Sequence, residues 1–404
     1  MTLASLRHRF LLLVALRWLP TGMLIPVLVL LLLDRGMSIA EVGLASAAQG
    51  LMVMALELPT GALADSHGRR AVLLSASLFD LASIGLLLTA DSIGMLVLVF
   101  ALQGVYRALE SGPLDAWFVD STQAVDPTAK IEDALGAAGA VLGASIAVAT
   151  VGAGALVALD PVPGVDPLMV PLLVSLVLRM LNVVAIAVLM TEPGRPIGRN
   201  TRVTGVIGDS LHLIRASRML QALMVVELLW GAGMVAFETL TPARLEEVTG
   251  SAAQAAAIFG PVTAVAWLSS AGAAAVVPRL AIRVGATRAG ALLRIVQGIT
   301  VAGIGISSGA VGVIIAFLLT MAVHGAANPV HQGLLHRSVD GPANRSTVVS
   351  ANSLSAQFGG ALGMIALTSL ADATTRSTAI VTGAVLLAAA APVYLIPSTR
   401  PPRR

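Results

Sequence analysis

Cysteine is absent from the 404 residues, which excludes disulfides and Cys-ligated metals. Charge is also scarce. Charged residues make up 12% of the chain, about half the share found in soluble domains. With 56% hydrophobic residues beside so little charge, no large soluble domain fits, and the chain reads as an integral membrane protein. Aromatics are only 3%, so any apolar cavity wall must be largely Leu, Val and Met. That suits a broad pocket better than a sugar site built on stacking rings. No metal-ligand cluster, nucleophile motif or phosphate loop stands out, which argues against an enzyme and calls for no cofactor and no metal. The formal net charge is +3, and the basic residues are all Arg apart from Lys130. They gather in alternate loops, so they speak for membrane topology and not for nucleic acid.

What is present is a series of apolar runs, each near the roughly 20 residues that cross a bilayer. Arg7 and Arg9 precede the first, Phe10 to Leu33, which is too long for a signal peptide. Five more follow, near 42–60, 71–90, 94–118, 134–159 and 168–190. A polar Arg-rich stretch, 191–218, reads as a linker, and 203–218 within it as an amphipathic surface helix. Six further runs fall near 219–241, 252–277, 289–308, 311–335, 346–370 and 377–396. The expectation is an all-α membrane protein of about twelve helices, numbered 1 to 12 in chain order. Its halves are 1–190 and 219–404. Only Arg35, Arg244 and Arg376 fall on the outer side in this threading, so both termini are expected in the cytoplasm and the protein in the cell membrane. Helix 5 carries Gly136, Gly139, Gly143, Gly152 and Gly154, which are expected to pack closely against neighbours.

Between helices 2 and 3 lies the polar island Gly61-Ala62-Leu63-Ala64-Asp65-Ser66-His67-Gly68-Arg69-Arg70. It resembles the signature loop of the major facilitator superfamily and departs from it at Ser66, where that family carries Arg. The resemblance implies the major facilitator fold, two six-helix halves that rock about a central site. It also implies that Gly61, Asp65, Gly68, Arg69 and Arg70 form an inner gate. Asp65 would meet the start of helix 11 near Arg345, and Arg69 or Arg70 would reach Asp115 or Asp120. Leu63 to Gly68 is echoed in Leu280 to Gly285, and Ser111-Gly112-Pro113 in Ala327-Asn328-Pro329. The segment Leu109 to Ala116 looks like helix 4 of drug-efflux members. Helix 5, however, lacks the Pro of the antiporter pattern.

Ionisable groups at bilayer depth are costly and usually functional. Four acids, Asp80, Glu110, Glu227 and Glu238, are candidate proton carriers. Arg107 and Glu110 share a helix face and read as a local ion pair. Glu227, Trp230, Met234 and Glu238 form one stripe of helix 7, while His324, Asn328 and His331 form one on helix 10. Glu57 and Arg294 lie near helix ends and read as snorkelling side chains. The cavity implied between the halves would be lined by Arg17, Trp18, Arg107, Trp230, Met234, His324 and Asn328. The reading is a proton-coupled exporter of amphiphilic small molecules by alternating access, of the drug-efflux type. Its partners are the solute, protons and the bilayer, and it is expected to work as a monomer. Uptake or exchange of a metabolite is the alternative, and a non-transporting receptor or assembly factor a remote one.

Overall fold

The computed structural model describes residues 2–192, 214–215, 217–339 and 342–396, without the side chains of 57–66, 278, 280 and 342–347. Among these residues all regular structure is helical, and twelve helices are long and apolar enough to cross a membrane. We number them α1 to α12. In the first half they are α1 (Leu3–Leu24, then Leu28–Asp34), α2 (Ile39–His67), α3 (Arg69–Thr89), α4 (Ile93–Glu110, then Pro113–Val125), α5 (Glu132–Leu159) and α6 (Met169–Leu189). In the second they are α7 (Arg218–Glu238, then Leu240–Thr249), α8 (Ala252–Val284), α9 (Ala286–Ile306), α10 (Ala310–Arg337), α11 (Pro342–Ala373) and α12 (Arg376–Ala389). A short 3₁₀ turn, Pro392–Leu395, follows α12. The amphipathic helix expected over 203–218 falls largely outside the described residues.

The breaks in α1, α4 and α7 have a common cause. Proline lacks an N–H and its ring collides with the carbonyl four residues earlier. Pro26 therefore interrupts α1 and Pro242 interrupts α7, where apolarity alone predicts an unbroken run. At α4 the extended Ser111 and the left-handed Gly112 (φ 93°) stop one helix, and Pro113 starts the next at a position where its missing N–H is harmless. The echo of this triplet in α10 is not repeated in shape, since α10 runs continuously through Pro329.

Packing resolves two units, described here separately. One comprises Met1–Met37, Leu51–Thr201 and Ala252–Ala264; the other comprises Ser38–Gly50, Arg202–Ser251 and Val265–Arg404. In the first unit Leu6, Phe10, Leu13, Leu114, Trp117 and Phe118 form a buried core, with Phe10 and Phe118 stacked at 4.2 Å. The second unit closes around Leu223, Val226, Leu293, Val330 and Tyr394.

In lipid, apolar residues gain little by leaving the solvent, so close backbone approach decides which helices pair. The tightest seam is α7 on α11. A side chain at Gly231, Gly359 or Gly363 would overlap the backbone of Ala356, Leu228 or Ala232 respectively. In the first unit Gly154 meets the backbone around Ala257 and Gly260, and Gly22 faces Ala149. The expectation for α5 is thereby corrected. Gly152 and Gly154 do pack, but Gly136, Gly139 and Gly143 face open space.

The same devices recur in both units. Gly68 (φ 95°, ψ 144°) and Gly285 (φ 87°, ψ 142°) start α3 and α9 with one backbone shape, matching their echo in sequence. Arg35 donates to the carbonyls of Leu87 (2.7 Å) and Leu88 (3.0 Å) at the end of α3, and Arg244 to that of Ser307 (2.8 Å) at the end of α9. A cation is favourable at each helix C-terminus.

Candidate functional site

Each unit holds a buried cluster of charged and polar side chains. In the first unit α3 presents Asp80 and α6 presents Arg179, joined in an ion pair with both side chains only 7% exposed. Arg179 Nε also reaches Ser175 Oγ at 3.3 Å, and that hydroxyl donates to the carbonyl of Pro20 at 2.9 Å. Arg179 thus ties α6 to α3, and Ser175 ties it to α1.

Beside this pair, Arg17 of α1 forms an ion pair with Glu110 of α4. The guanidinium of Arg17 lies over the ring of Trp18, 5.2 Å from its centre. The local pair expected between Arg107 and Glu110 is corrected: Glu110 turns to α1, and Arg107 points outward and is exposed. Tyr106, Ser77 and Asn182 join Arg17 and Glu110 around a cavity of about 10 Å³, room for a single water. None of those three stood out in the sequence. A Ser, an Asn or a Tyr in an apolar helix carries no charge to flag it.

In the second unit the centre is His331 of α10, fully enclosed. Its Nδ1 lies 2.8 Å from the Tyr394 hydroxyl, and its Nε2 lies 3.0 Å from Asn352 Oδ1 and 3.2 Å from Glu227 Oε2. Two acceptors at Nε2 require the proton there, so in the neutral ring Nδ1 accepts from Tyr394. Arg294 of α9 was expected to snorkel. It is instead buried, 3% exposed, with Nη1 donating to Gln297 Oε1 at 2.7 Å. Its guanidinium sits 5.9 Å from the ring centre of Trp230, and that ring stacks on His324 at 5.6 Å. Glu227, Trp230, Arg294, His324 and Asn328 close on one another and leave no water-sized space.

The helix-7 stripe is therefore divided. Glu227 is buried in this cluster and Met234 is half-buried, while Glu238 is exposed where the first segment of α7 ends. Tyr394, Asn352 and Gln297 were missed. Tyr394 arrives from the 3₁₀ turn after α12, packed on Gly290, and no spacing within one helix announces it.

At the α2–α3 end of the first unit, Arg69 forms an ion pair with Asp120 and also bonds the carbonyl of Ala116. Arg70 bonds the carbonyl of Ala187, and its N–H donates to Glu192 Oε1 at 2.9 Å. A Cβ on Gly68 would meet Glu192 Oε2 at 2.7 Å, so glycine is needed there twice over, for its φ and for this carboxylate. Asp115 is exposed. The side chains of Asp65 and Arg345 lie outside the described residues. Beyond α4, the Thr128 hydroxyl (2.7 Å) and N–H (2.8 Å) donate to Asp126 and hold its carboxyl below the usual range.

Among the described residues no group of three or more His, Cys, Asp or Glu is placed to hold a metal. No curated protein matches the sequence. Among solved structures, the nucleoside transporter NupG has a similar fold, with TM-score 0.80 and 15% identity over 96% of this chain and 98% of that one. A bacterial homolog of the human lysosomal transporter Spinster, in an inward-facing and unoccupied conformation, has TM-score 0.75 and 14% identity over 98% and 96% of the two chains. Residues 10–364 match the model of the Major Facilitator Superfamily, and with twelve apolar helices and these relatives in fold, the chain belongs to that superfamily of membrane transporters.

Proposed function

We propose that the chain is a proton-coupled secondary transporter that moves a small organic solute by alternating access. The observation that carries this reading is the burial of Glu110 and Glu227 at bilayer depth, each facing a cation or a histidine from another helix. An acid kept in that position at such cost serves a purpose. Losing and gaining a proton as the two ends open in turn is the purpose a transporter has for it. The loop around Arg69, Arg70 and Asp120 then acts as one side of the gate. The Arg-rich loops orient both termini to the cytoplasm of a cell-membrane protein working as a monomer.

The helix-4 segment supports export of amphiphilic molecules, as in drug-efflux members. A second reading, uptake or exchange of a polar metabolite, is favoured by the polar surroundings of Arg294 and by the missing antiporter Pro in α5. NupG, a nucleoside transporter, makes nucleosides one class to include in any panel.

The test is flux in proteoliposomes with a proton gradient imposed in either direction, over lipophilic cations, neutral drugs, nucleosides and organic anions. We expect one solute class to be driven by the gradient. Glu110→Gln or Glu227→Gln should abolish that drive while solute exchange without a gradient persists. Equal gradient-driven flux in both variants and the wild type across a pH series refutes the proton-carrier assignment.

A further inference from the structure

Two buried arginines, Arg179 and Arg294, and the half-buried Arg17 stand in the charged clusters of this protein, and they are not alike. Arg17 and Arg179 each touch a carboxylate directly. Arg294, the most deeply buried of them, has no carboxylate at that distance among the described residues. Glu227 lies in the same pocket and acts on Arg294 electrostatically, as the Tyr394 hydroxyl does, but its Oε2 turns to His331 and makes no direct ion pair with the guanidinium.

Three buried polar atoms in this place also have no hydrogen-bond partner: Arg294 Nε, Gln297 Nε2 and His324 Nδ1. Arg294 and Gln297 are one helical turn apart on α9, and His324 stands across from them on α10. Two of the three atoms can only donate. Leaving such donors buried and unmatched is rare and calls for an explanation. Trp230 touches both the guanidinium and the His324 ring, and it is only half-buried. Its ring offers a flat apolar face beside the guanidinium.

We propose that Arg294, Gln297 and His324 form the docking point for the acceptor end of the transported solute, a carboxylate carried on a flat ring. The proposal rests on the transporter reading above. The cluster is closed in this structure, so the Trp230 side chain turns aside to admit the solute; the carboxylate then takes the Nε edge of Arg294 and the Gln297 amide, and the ring lies against the indole. Bound there, the carboxylate takes over from Glu227 as the counter-charge of Arg294. Glu227 then faces His331 and Asn352, with Tyr394 behind the imidazole and His324 across the pocket. A proton taken from water by Glu227 keeps the pocket at its original net charge. Anion and proton therefore enter together.

Benzoate serves as the probe, with benzamide and benzylammonium as neutral and cationic matches. Binding of each to the full chain in phosphatidylcholine nanodiscs is measured by calorimetry. Repeating the titration in buffers of different ionisation enthalpy gives the protons taken up. We expect saturable benzoate binding, with benzamide at least about tenfold weaker and benzylammonium excluded, the scale of one charge-assisted hydrogen bond. Arg294→Gln should weaken benzoate by about tenfold or more, and Gln297→Leu by several-fold. Proton uptake should vanish in Glu227→Gln.

Four results overturn the proposal. One is a wild type that ignores benzoate. Another is a wild type that prefers benzylammonium. The third is folded Arg294→Gln or Gln297→Leu protein that binds as the wild type does, which would leave the three atoms to water only. The fourth is competition by added phosphatidylglycerol, which would reassign the site to a lipid headgroup. If Arg294→Gln does not fold, Gln297→Leu still decides. Gradient-driven flux without benzoate binding sinks this site and spares the transporter reading. Benzoate binding with no flux of any solute sinks that reading instead.

Discussion

Asp80 and Arg179 give the sharpest test of how this fold holds its charges. Each side chain is 7% exposed, and the pair joins α3 to α6. Asp80→Leu leaves the guanidinium with only Ser175 at 3.3 Å, and Arg179→Leu leaves a buried carboxylate with no partner. Removing one member of a buried ion pair costs about 3–5 kcal/mol, because an uncompensated charge remains. Replacing both members by apolar residues is often neutral or stabilising. The double variant should therefore recover most of what either single variant loses, with a coupling energy of at least about 2 kcal/mol. Reversible unfolding of purified protein in mixed micelles measures all four corners of the cycle. Single costs that simply add, within about 0.5 kcal/mol, would refute the reasoning. The same double variant tests Asp80 as a proton carrier. If the pair is only an anchor, the double variant keeps gradient-driven flux. If Asp80 carries protons, stability returns and the drive does not.

Three further outcomes are expected. Gly359→Ala drives a methyl into the carbonyl of Leu228, which no rotamer relieves, and should cost about 1–3 kcal/mol. Gly139→Ala meets nothing and should be neutral or stabilising by about 0.5–1 kcal/mol, so equal unfolding of the two would discredit the packing scheme. Asp120→Asn removes the ion pair to Arg69 while the bond to Ala116 remains, so transport should slow with solute affinity unchanged. A changed affinity, read from binding isotherms, would place this residue in the solute's path instead. Asp126 titrates below the usual carboxylate range because Thr128 bonds its charged form. That contribution is present above the unfolded-state value and is lost as pH falls through the folded one. Thr128→Val should move the Asp126 carboxyl carbon titration upward by NMR, and an unmoved curve would remove the hydroxyl as its cause.

The linear order of residues was enough for the twelve helices, because a run of about 20 apolar residues has only one stable form in lipid. It was enough as well for the loop from Gly61 to Arg70 and its echo ending at Gly285. There a glycine marks a backbone shape that other residues resist. Pro26 and Pro242 are equally visible in the sequence, but hydropathy runs unbroken across them, and only backbone chemistry shows the breaks in α1 and α7. Partnership was another matter. Spacing along a helix ranks neighbours on that helix, so Glu110 was matched to Arg107. In the folded chain α1 passes beside α4 and brings Arg17. Distance from a helix end made Arg294 look free to reach water, but α7, α10 and the turn after α12 enclose it. The five glycines of α5 are chemically identical. Only those opposite another backbone matter, and which helix lies opposite is decided by tertiary packing alone. Composition and local chemistry set the elements, because those depend on a residue and its solvent. The ion pairs of Arg17 with Glu110 and of Arg179 with Asp80, and the bond from Ser175 to Pro20, join groups far apart in the chain, and only the assembled helices bring them within reach.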